Sequence, residues 1–309
     1  MSIALNGGPF EPLSIAVGIA TAGRPKILSE ALKDLSRQER LPDYVFVCPA
    51  SNEDFDSTSK VSYLFPVDVV KAARGLTVQR NAILDAAHRF DVIVFFDDDF
   101  FADPRYLDEV QRCFLQMPDV VGTTGLVIAD GAIGPGLSVD MARVLLNERC
   151  WDQSADAIRD VHNAYGCNMA FRLEPIRKNK LRFDVNLPLY GWLEDVDFCR
   201  QMAAHGRIVF NSQMVGVHLG AKFGRTSGFR LGYSQVANPI YIWRKGSTDF
   251  RWAAINIARN VGANLVRGLR PEPWIDRNGR KRGNAKAFWD LMLGRLDPRR
   301  VLDEKTLSK

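Results

Sequence analysis

Long apolar runs are missing from this chain of 309 residues. None approaches the roughly 18 residues that a membrane-crossing helix needs. The opening stretch, MSIALNGGPFEP, lacks the basic start of a secretory signal. Paired cysteines are missing too. The five present (Cys48, Cys113, Cys150, Cys167 and Cys199) are odd in number, scattered and without a CxxC. Neither a disulfide framework nor a zinc site is expected from them, and a reduced, cytoplasmic compartment is the simple reading. Internal repeats and low-complexity segments are absent. So are zinc fingers and basic-aromatic modules, and no nucleic-acid partner is expected.

What is present is ordinary globular composition, 46% hydrophobic and 25% charged. The charge is uneven. Residues 251–309 hold 14 Lys and Arg against 6 Asp and Glu, a surplus of 8, so the net +5 of the whole chain leaves −3 on the rest. A near-neutral body with a basic tail suits contact with an anionic membrane surface better than with nucleic acid.

Strand and helix signals alternate through the first 117 residues. LSIAVGIAT (13–21), YVFVCPA (44–50), VDVVKA (67–72) and VIVFF (92–96) read as strands. Residues 27–37 carry Ile27, Leu28, Ala31, Leu32 and Leu35 at helical spacing, and 76–88 do the same with Val78, Ile83, Leu84 and Ala87. A third helix is expected over 104–117, with Asp103 as cap and Pro104 at its first position. This alternation predicts an α/β domain around a mostly parallel sheet. Further on, 120–128, 166–172, 207–210 and 215–219 read as short strands, and 191–206 as a turn followed by a helix.

VIVFF is apolar on both faces, as a central parallel strand is. It runs straight into Asp97, Asp98 and Asp99. Adjacent carboxylates repel one another and resist leaving water. A divalent cation would offset that, because hard cations take oxygen ligands. Ligands of such sheets bind at the carboxyl ends of the strands, where this triplet lies. The plain alternative is an acidic turn capping a helix.

A second acidic group, Glu194, Asp195 and Asp197, opens the 191–206 helix. Early-turn acids complement the helix dipole. One of them could instead serve as a catalytic base, held near a reacting hydroxyl by a rigid element. Trp192 could lay its ring on a sugar or belong to the core. His218 completes a metal shell only if the fold brings it near Asp99, since imidazole joins carboxylates around a cation.

The ordered set ATAGRP (20–25), VQRNAIL (78–84), FFDDDF (95–100), GCNMAFR (166–172), GWLEDVDFC (191–199) and then His218 resembles the family 2 glycosyltransferases, over roughly residues 13–220. The resemblance implies a GT-A fold: a Rossmann-like, mostly parallel sheet flanked by helices. It implies a nucleotide-sugar-binding half (13–117) and an acceptor half (118–220), with 221–309 as a basic, largely helical C-terminal extension. Asp97 and Asp99 match the DxD positions. Asp99 would coordinate Mn2+ or Mg2+, and Asp97 the ribose or the same metal, with Asp98 on the nucleotide side. Thr21 and Arg24 fall on the first nucleotide-binding loop, and Arg80 with Asn81 on a second nucleotide-contact position. Asp195 would be the general base, with Glu194 as its rival, and Trp192 would touch the acceptor.

Two departures qualify the match. Acidic residues do not follow the second strand directly; CPASNEDF (48–55) stands there, so Glu53 or Asp54 would meet the nucleotide from a shifted place. The QxxRW motif of processive members is absent from 220–250, where YSQVANPIYIWRKG stands. That implies transfer of one sugar rather than polymerisation. The expected activity is an inverting transfer from a nucleotide sugar to a glycan or lipid-linked acceptor, in cell-surface polysaccharide synthesis of a bacterium. A DxD phosphohydrolase is disfavoured by Phe100, where such motifs usually carry Thr or Val. A degenerate sugar-nucleotide-binding scaffold or partner subunit remains the alternative.

The tail reads as a helix over 251–270 whose apolar set (Trp252, Ile255, Ile257, Ala258, Val261, Leu265 and Val266) is flanked by arginines. A basic amphipathic helix with Trp can lie on an anionic leaflet at the inner face of the cytoplasmic membrane. Its apolar face would serve equally to pack on the catalytic domain.

Overall fold

The computed structural model describes residues 11–55, 62–148, 158–223 and 226–303. Cys150 lies outside them. One mixed sheet organises residues 15–218. Its strands are β1 (Ile15–Thr21), β2 (Tyr44–Pro49), β3 (Val67–Val69), β4 (Val92–Asp97), β5 (Phe100–Ala102), β6 (Val120–Asp130), β7 (Ile158–Asp160), β8 (Asn168–Arg172) and β9 (Arg207–His218). The order across the sheet is β3-β2-β1-β4-β8-β6-β9-β5, with β7 also pairing β9. Six strands run one way and β5, β7 and β8 run the other. The parallel half is the expected Rossmann-like one, flanked by helices, and the antiparallel strands gather in the second half.

Why β4 is central follows from its side chains. Val92, Val94 and Phe96 enter one buried cluster, and Ile93 and Phe95 the other. Period-two alternation of two apolar sets buries both faces. On the first face lie α1 (Pro25–Leu35), through Leu28, Leu32 and Leu35, and α3 (Tyr106–Gln116), through Leu107, Val110 and Phe114. The second face carries α2 (Leu76–Ala86) through Ile83 and Leu84, α5 (Leu173–Asn179) through Leu173 and Ile176, and α6 (Glu194–Met202) through Phe198, Cys199 and Met202. A further helix, α4 (Val139–Asn147), tucks Ala142 beside Phe101 and Val217. The four cysteines described are all free and buried.

Two local expectations are corrected. Asp103 and Pro104 precede the third helix instead of opening it: the Asp103 carboxylate accepts from the Arg105 N–H at 3.0 Å, and Arg105 caps α3. Residues 207–210 and 215–219, expected as two strands, fall in the single strand β9, which ends at His218. Its pairing with β6 jumps from Asn211 to Val215 across a bulge. The polar run there interrupts the apolar pattern without ending the strand.

Beyond the sheet, α7 (Gly228–Lys245), α8 (Phe250–Arg267) and α9 (Arg277–Met292) form a bundle around Tyr233, Val236, Ala237, Ile240 and Ala287. The basic stretch 277–286 forms the first part of α9, which runs on to Met292. Asp276 caps it through the Gly279 N–H at 2.7 Å. Much of the tail's positive charge is neutralised inside the bundle. Fully buried Asp290 pairs with Lys286, Arg295 and Arg300, and Glu272 pairs with Arg277. Helix α8 packs Ile257 and Val261 into the bundle, and Trp252 reaches the cluster of Leu187, Val196 and Ile242. It leaves Ile255, Leu265 and Val266 exposed.

Candidate active site

The three aspartates end β4 at the carboxyl edge of the parallel strands, and the chain then doubles back as β5. That strand pairs antiparallel with β9, with Phe100 opposite His218. The register demands a close approach. A Cβ on Gly216 would fall 2.1 Å from the Phe100 ring, so only glycine admits the ring there. The pairing sets His218 beside Asp97 and Asp99, 119 or more residues apart in sequence.

Asp97, Asp99 and His218 each offer a ligand atom, and these atoms lie within 4.8 Å of one another. His218 Nε2 is 3.4 Å from Asp99 Oδ1 and 4.0 Å from Asp97 Oδ2. The Asp99 Oδ1 atom is buried and makes no well-formed hydrogen bond. Two carboxylate oxygens and one imidazole nitrogen, one oxygen of them unsatisfied, fit a hard or borderline divalent cation. Behind the imidazole, Nδ1 is 2.9 Å from Asp130 Oδ1. Such a carboxylate–histidine pair orients the ring for a metal.

Arg24 lies across the same cluster, 2.9 Å from Asp98 and 2.8 Å from Asp99. Thr21 donates its hydroxyl hydrogen to Asp98 at 2.6 Å. Burial raises the Asp97 carboxyl above its ordinary range against the pull of Arg80, and raises Asp98 likewise against Arg24. Asp99 goes the other way. Burial opposes its charge, but His218, Arg24 and the Ala221 N–H outweigh burial and hold it low. Burial also opposes charge on His218, yet its hydrogen bond to Asp130 and the nearby Asp99 and Asp97 carboxylates lift it to about 10.

The other acidic group sits across a buried arginine. Arg80 is 2% exposed. It contacts Glu194, reaches Asp97 at 3.2 Å and donates to the Gly166 carbonyl at 2.7 Å. Glu194 is buried, and desolvation pushes its carboxyl up to about 8 despite Arg80. Asp195 is half-buried at the first turn of α6. Its Oδ2 accepts from the Gly166 N–H at 3.1 Å, and its Oδ1 from the Val196 N–H at 2.8 Å. Burial raises the Asp195 carboxyl as well, with those N–H groups opposing the rise. Asp195 is therefore the more accessible carboxylate, and Glu194 the one tied to Arg80.

The remaining expected residues are placed as follows. Both polar atoms of the Asn81 amide are engaged by the backbone of Phe183, at 2.8 and 2.9 Å. Glu53 is exposed on a short 3-10 turn after β2, while the buried Asp54 beside it holds the Gly23 N–H at 2.5 Å. Trp192 is half-buried, its ring 6.3 Å from that of Tyr190. Three participants carried no role in the sequence reading. Asp130 stands behind His218, and Gly166 meets both Arg80 and Asp195 through its backbone. Asn238, on α7, donates to the Trp192 carbonyl at 2.8 Å. Gly166 falls inside GCNMAFR and Asn238 inside the stretch YSQVANPIYIWRKG, while Asp130 falls in no quoted stretch.

This sheet is that of a glycosyltransferase. The family model described as "Glycosyltransferase like family 2" matches residues 12–219, and the chain belongs to that family. It is accordingly a transferase with the GT-A architecture. Solved structures share the fold. Residues 1–349 of TarS from S. aureus superpose with a TM-score of 0.56 at 14% identity, covering 95% of this chain and 82% of that one. Against the longer TarS chain the coverage of the other protein is 50%. PcManGT, a mannosyltransferase from Pyrobaculum calidifontis solved with GDP-Man and Mn2+, gives 0.53 at 14% identity, covering 95% and 86%. GalNAc-T7, solved with UDP, GalNAc and Mn2+, gives 0.55 at 10% identity, covering 92% and 58%. A search of curated protein sequences finds no match.

Proposed function

We propose that this chain is a metal-dependent, inverting glycosyltransferase that moves one sugar from a nucleotide sugar to a glycan or lipid-linked acceptor. The observation that carries the reading is the convergence of Asp97, Asp99 and His218 at the edge of β4, with Asp195 joined to Arg80 through Gly166. Asp97, Asp99 and His218 would hold Mn2+ or Mg2+. A bound cation would neutralise charge building on the departing diphosphate.

The chain's own residues supply the rest. Asp195 accepts the proton of the acceptor hydroxyl as its oxygen attacks the anomeric carbon. The bond from that carbon to the diphosphate oxygen breaks on the opposite face, and its electron pair leaves with the nucleoside diphosphate. Asp195 suits this role because a carboxyl raised toward neutrality is a stronger base than an ordinary one. Glu194, buried against Arg80, holds that arginine between the two halves of the site. Arg24, already beside Asp98 and Asp99, is placed to meet the diphosphate, and Thr21 steadies Asp98. Asn81 and Glu53 would act on the nucleotide only by way of the backbone they support or the edge they border.

Among the described residues no helix is long and apolar enough to cross a membrane. We place the enzyme in the bacterial cytoplasm, in surface-polysaccharide synthesis, with its bundle resting on the anionic inner leaflet. Exposed Ile255, Leu265, Val266, Leu269, Trp289 and Met292 support that contact, with Arg251, Arg259, Arg267 and Arg270 exposed nearby. Flotation with anionic vesicles tests it, and absence of binding would remove it.

The first experiment on the activity is the melting temperature of the purified chain with UDP, GDP, dTDP and CMP, each with and without Mn2+. A native-state ligand raises it by mass action. A rise with one nucleotide that needs Mn2+ is expected. No rise with any of them would favour a degenerate scaffold.

A further inference from the structure

A shallow recess opens between the loop before α6 and the first turns of α7. Tyr190, Gly191, Trp192, Thr226, Arg230 and Ser234 line it. Nothing in the transfer chemistry above uses Arg230, Thr226 or Ser234.

The loop is held in an unusual backbone. Leu189, Gly191 and Leu193 alternate through the left-handed region, at φ 59°, 68° and 72°. Leucine resists that region because its Cβ crowds the carbonyl, and such residues gather at working sites. Both ends of the loop are tied down. The Leu189 carbonyl accepts from the Leu76 N–H at 2.8 Å, and the Trp192 carbonyl from Asn238 at 2.8 Å. The loop leads directly into Glu194 and Asp195. Tyr190 also lies near enough to Arg24 to act on its charge. The recess therefore adjoins both the base and the donor side.

Two of its polar atoms are unsatisfied. Trp192 Nε1 and Arg230 Nε are buried without hydrogen-bond partners, and among the described residues Arg230 enters no ion pair. Arg230 is half-buried, so its guanidinium stands at the rim of the recess with no counter-charge from the described residues and within reach of an anion. A guanidinium meets phosphate or carboxylate in a planar, two-pronged fashion that a neutral sugar cannot match. Arg230 also lies outside residues 12–219, the segment matched to the family.

We infer that this recess is the acceptor subsite and that the acceptor is anionic. Arg230 takes a phosphate or carboxylate of the acceptor, Trp192 Nε1 donates one further hydrogen bond, and the rings of Tyr190 and Trp192 flank a sugar. The inference rests on the glycosyltransferase reading above. The C-terminal extension thus reads the acceptor's charge, a selection the shared domain does not make.

Calorimetric titration of the full chain tests this with four probes: methyl β-glucuronide, glucose 1-phosphate, methyl β-glucoside and inorganic phosphate. At least one anionic sugar should bind about tenfold or more tighter than the glucoside. Preference for the glucuronide identifies a carboxylate, and preference for glucose 1-phosphate a phosphate. Arg230→Gln should erase the preference, and Arg230→Lys should keep part of it. Thr226→Asp, which leaves Arg230 in place and adds a negative charge, should erase it too. Equal binding of charged and neutral sugars, no binding of any sugar, inorganic phosphate binding as tightly as glucose 1-phosphate, or a preference that survives Arg230→Gln would each overturn the inference. Nucleotide-dependent melting shifts should be the same in all these variants. Their loss in the wild-type chain, with anionic-sugar binding intact, would instead sink the donor reading.

Discussion

The imidazole of His218 leans on Asp130, Nδ1 to Oδ1 at 2.9 Å, and this turns Nε2 toward Asp97 and Asp99. Asp130 also accepts from the Tyr165 hydroxyl at 2.8 Å, so its own position is held. Asp130→Ala should weaken Mn2+ binding by about 10–100-fold, the usual cost of losing such an orienting partner. Calorimetric titration with Mn2+ measures this, and an unchanged affinity would mean that His218 is not a ligand.

The two carboxylates of α6 should separate by function. Asp195→Asn should lower turnover by about 10²–10⁴-fold, the range for a lost general base. Its melting shift with nucleoside diphosphate and Mn2+ should remain. Turnover near the wild-type rate in Asp195→Asn, with a collapse in Glu194→Gln, would exchange the assignments.

Glu194 should leave a signature in stability against pH. Its carboxyl moves from 4.5 to about 8 on folding. Between those values the folded chain holds a proton that the unfolded chain has released. The stabilisation from this group is complete below 4.5 and disappears as pH rises through about 8. Glu194→Gln cannot titrate. Urea unfolding midpoints across this window should therefore favour the Gln variant progressively as pH increases. A pH-independent difference between the two proteins would contradict the raised carboxyl.

Arg80 should matter more to folding than an exposed arginine does. Arg80→Met leaves Glu194 and Asp97 near each other without their shared cation. Above about pH 8, where Glu194 is ionised, breaking a buried pair this way costs about 3–5 kcal/mol. Adding Glu194→Gln should return part of the loss, and denaturant unfolding of the single and double variants reads the coupling. Additive losses would mean that Arg80 acts by packing alone, through its contacts with the rings of Phe95 and Phe183 at 5.6 Å.

The strand β4 shows how much of the fold could be read in advance. VIVFF announces a two-faced buried strand because each residue feeds one of two apolar layers, and period-two patterning is a local property of the chain. Helices α1, α2 and α3 were legible on the same ground. The bulged strand β9 was read as two because a bulge interrupts local alternation while non-local pairing with β6 carries the strand across. Arg80 and Asn81, neighbours on one helix, were expected together on the nucleotide. The structure sends one to a buried charge network and the other to the Phe183 backbone, because side chains one step apart on a helix point about 100° from each other.

The sequence alone determined the alternating α/β core, the carboxylate-ended strand and the family to which they belong. Each of these is written in contiguous patterns a few residues long. Tertiary structure alone decided that His218 meets Asp99, that Arg80 lies between Asp97 and Glu194, and that α7 lays Arg230 beside Trp192. Those contacts join segments far apart along the chain. Their geometry is set by strand register and helix packing, which local spacing does not encode.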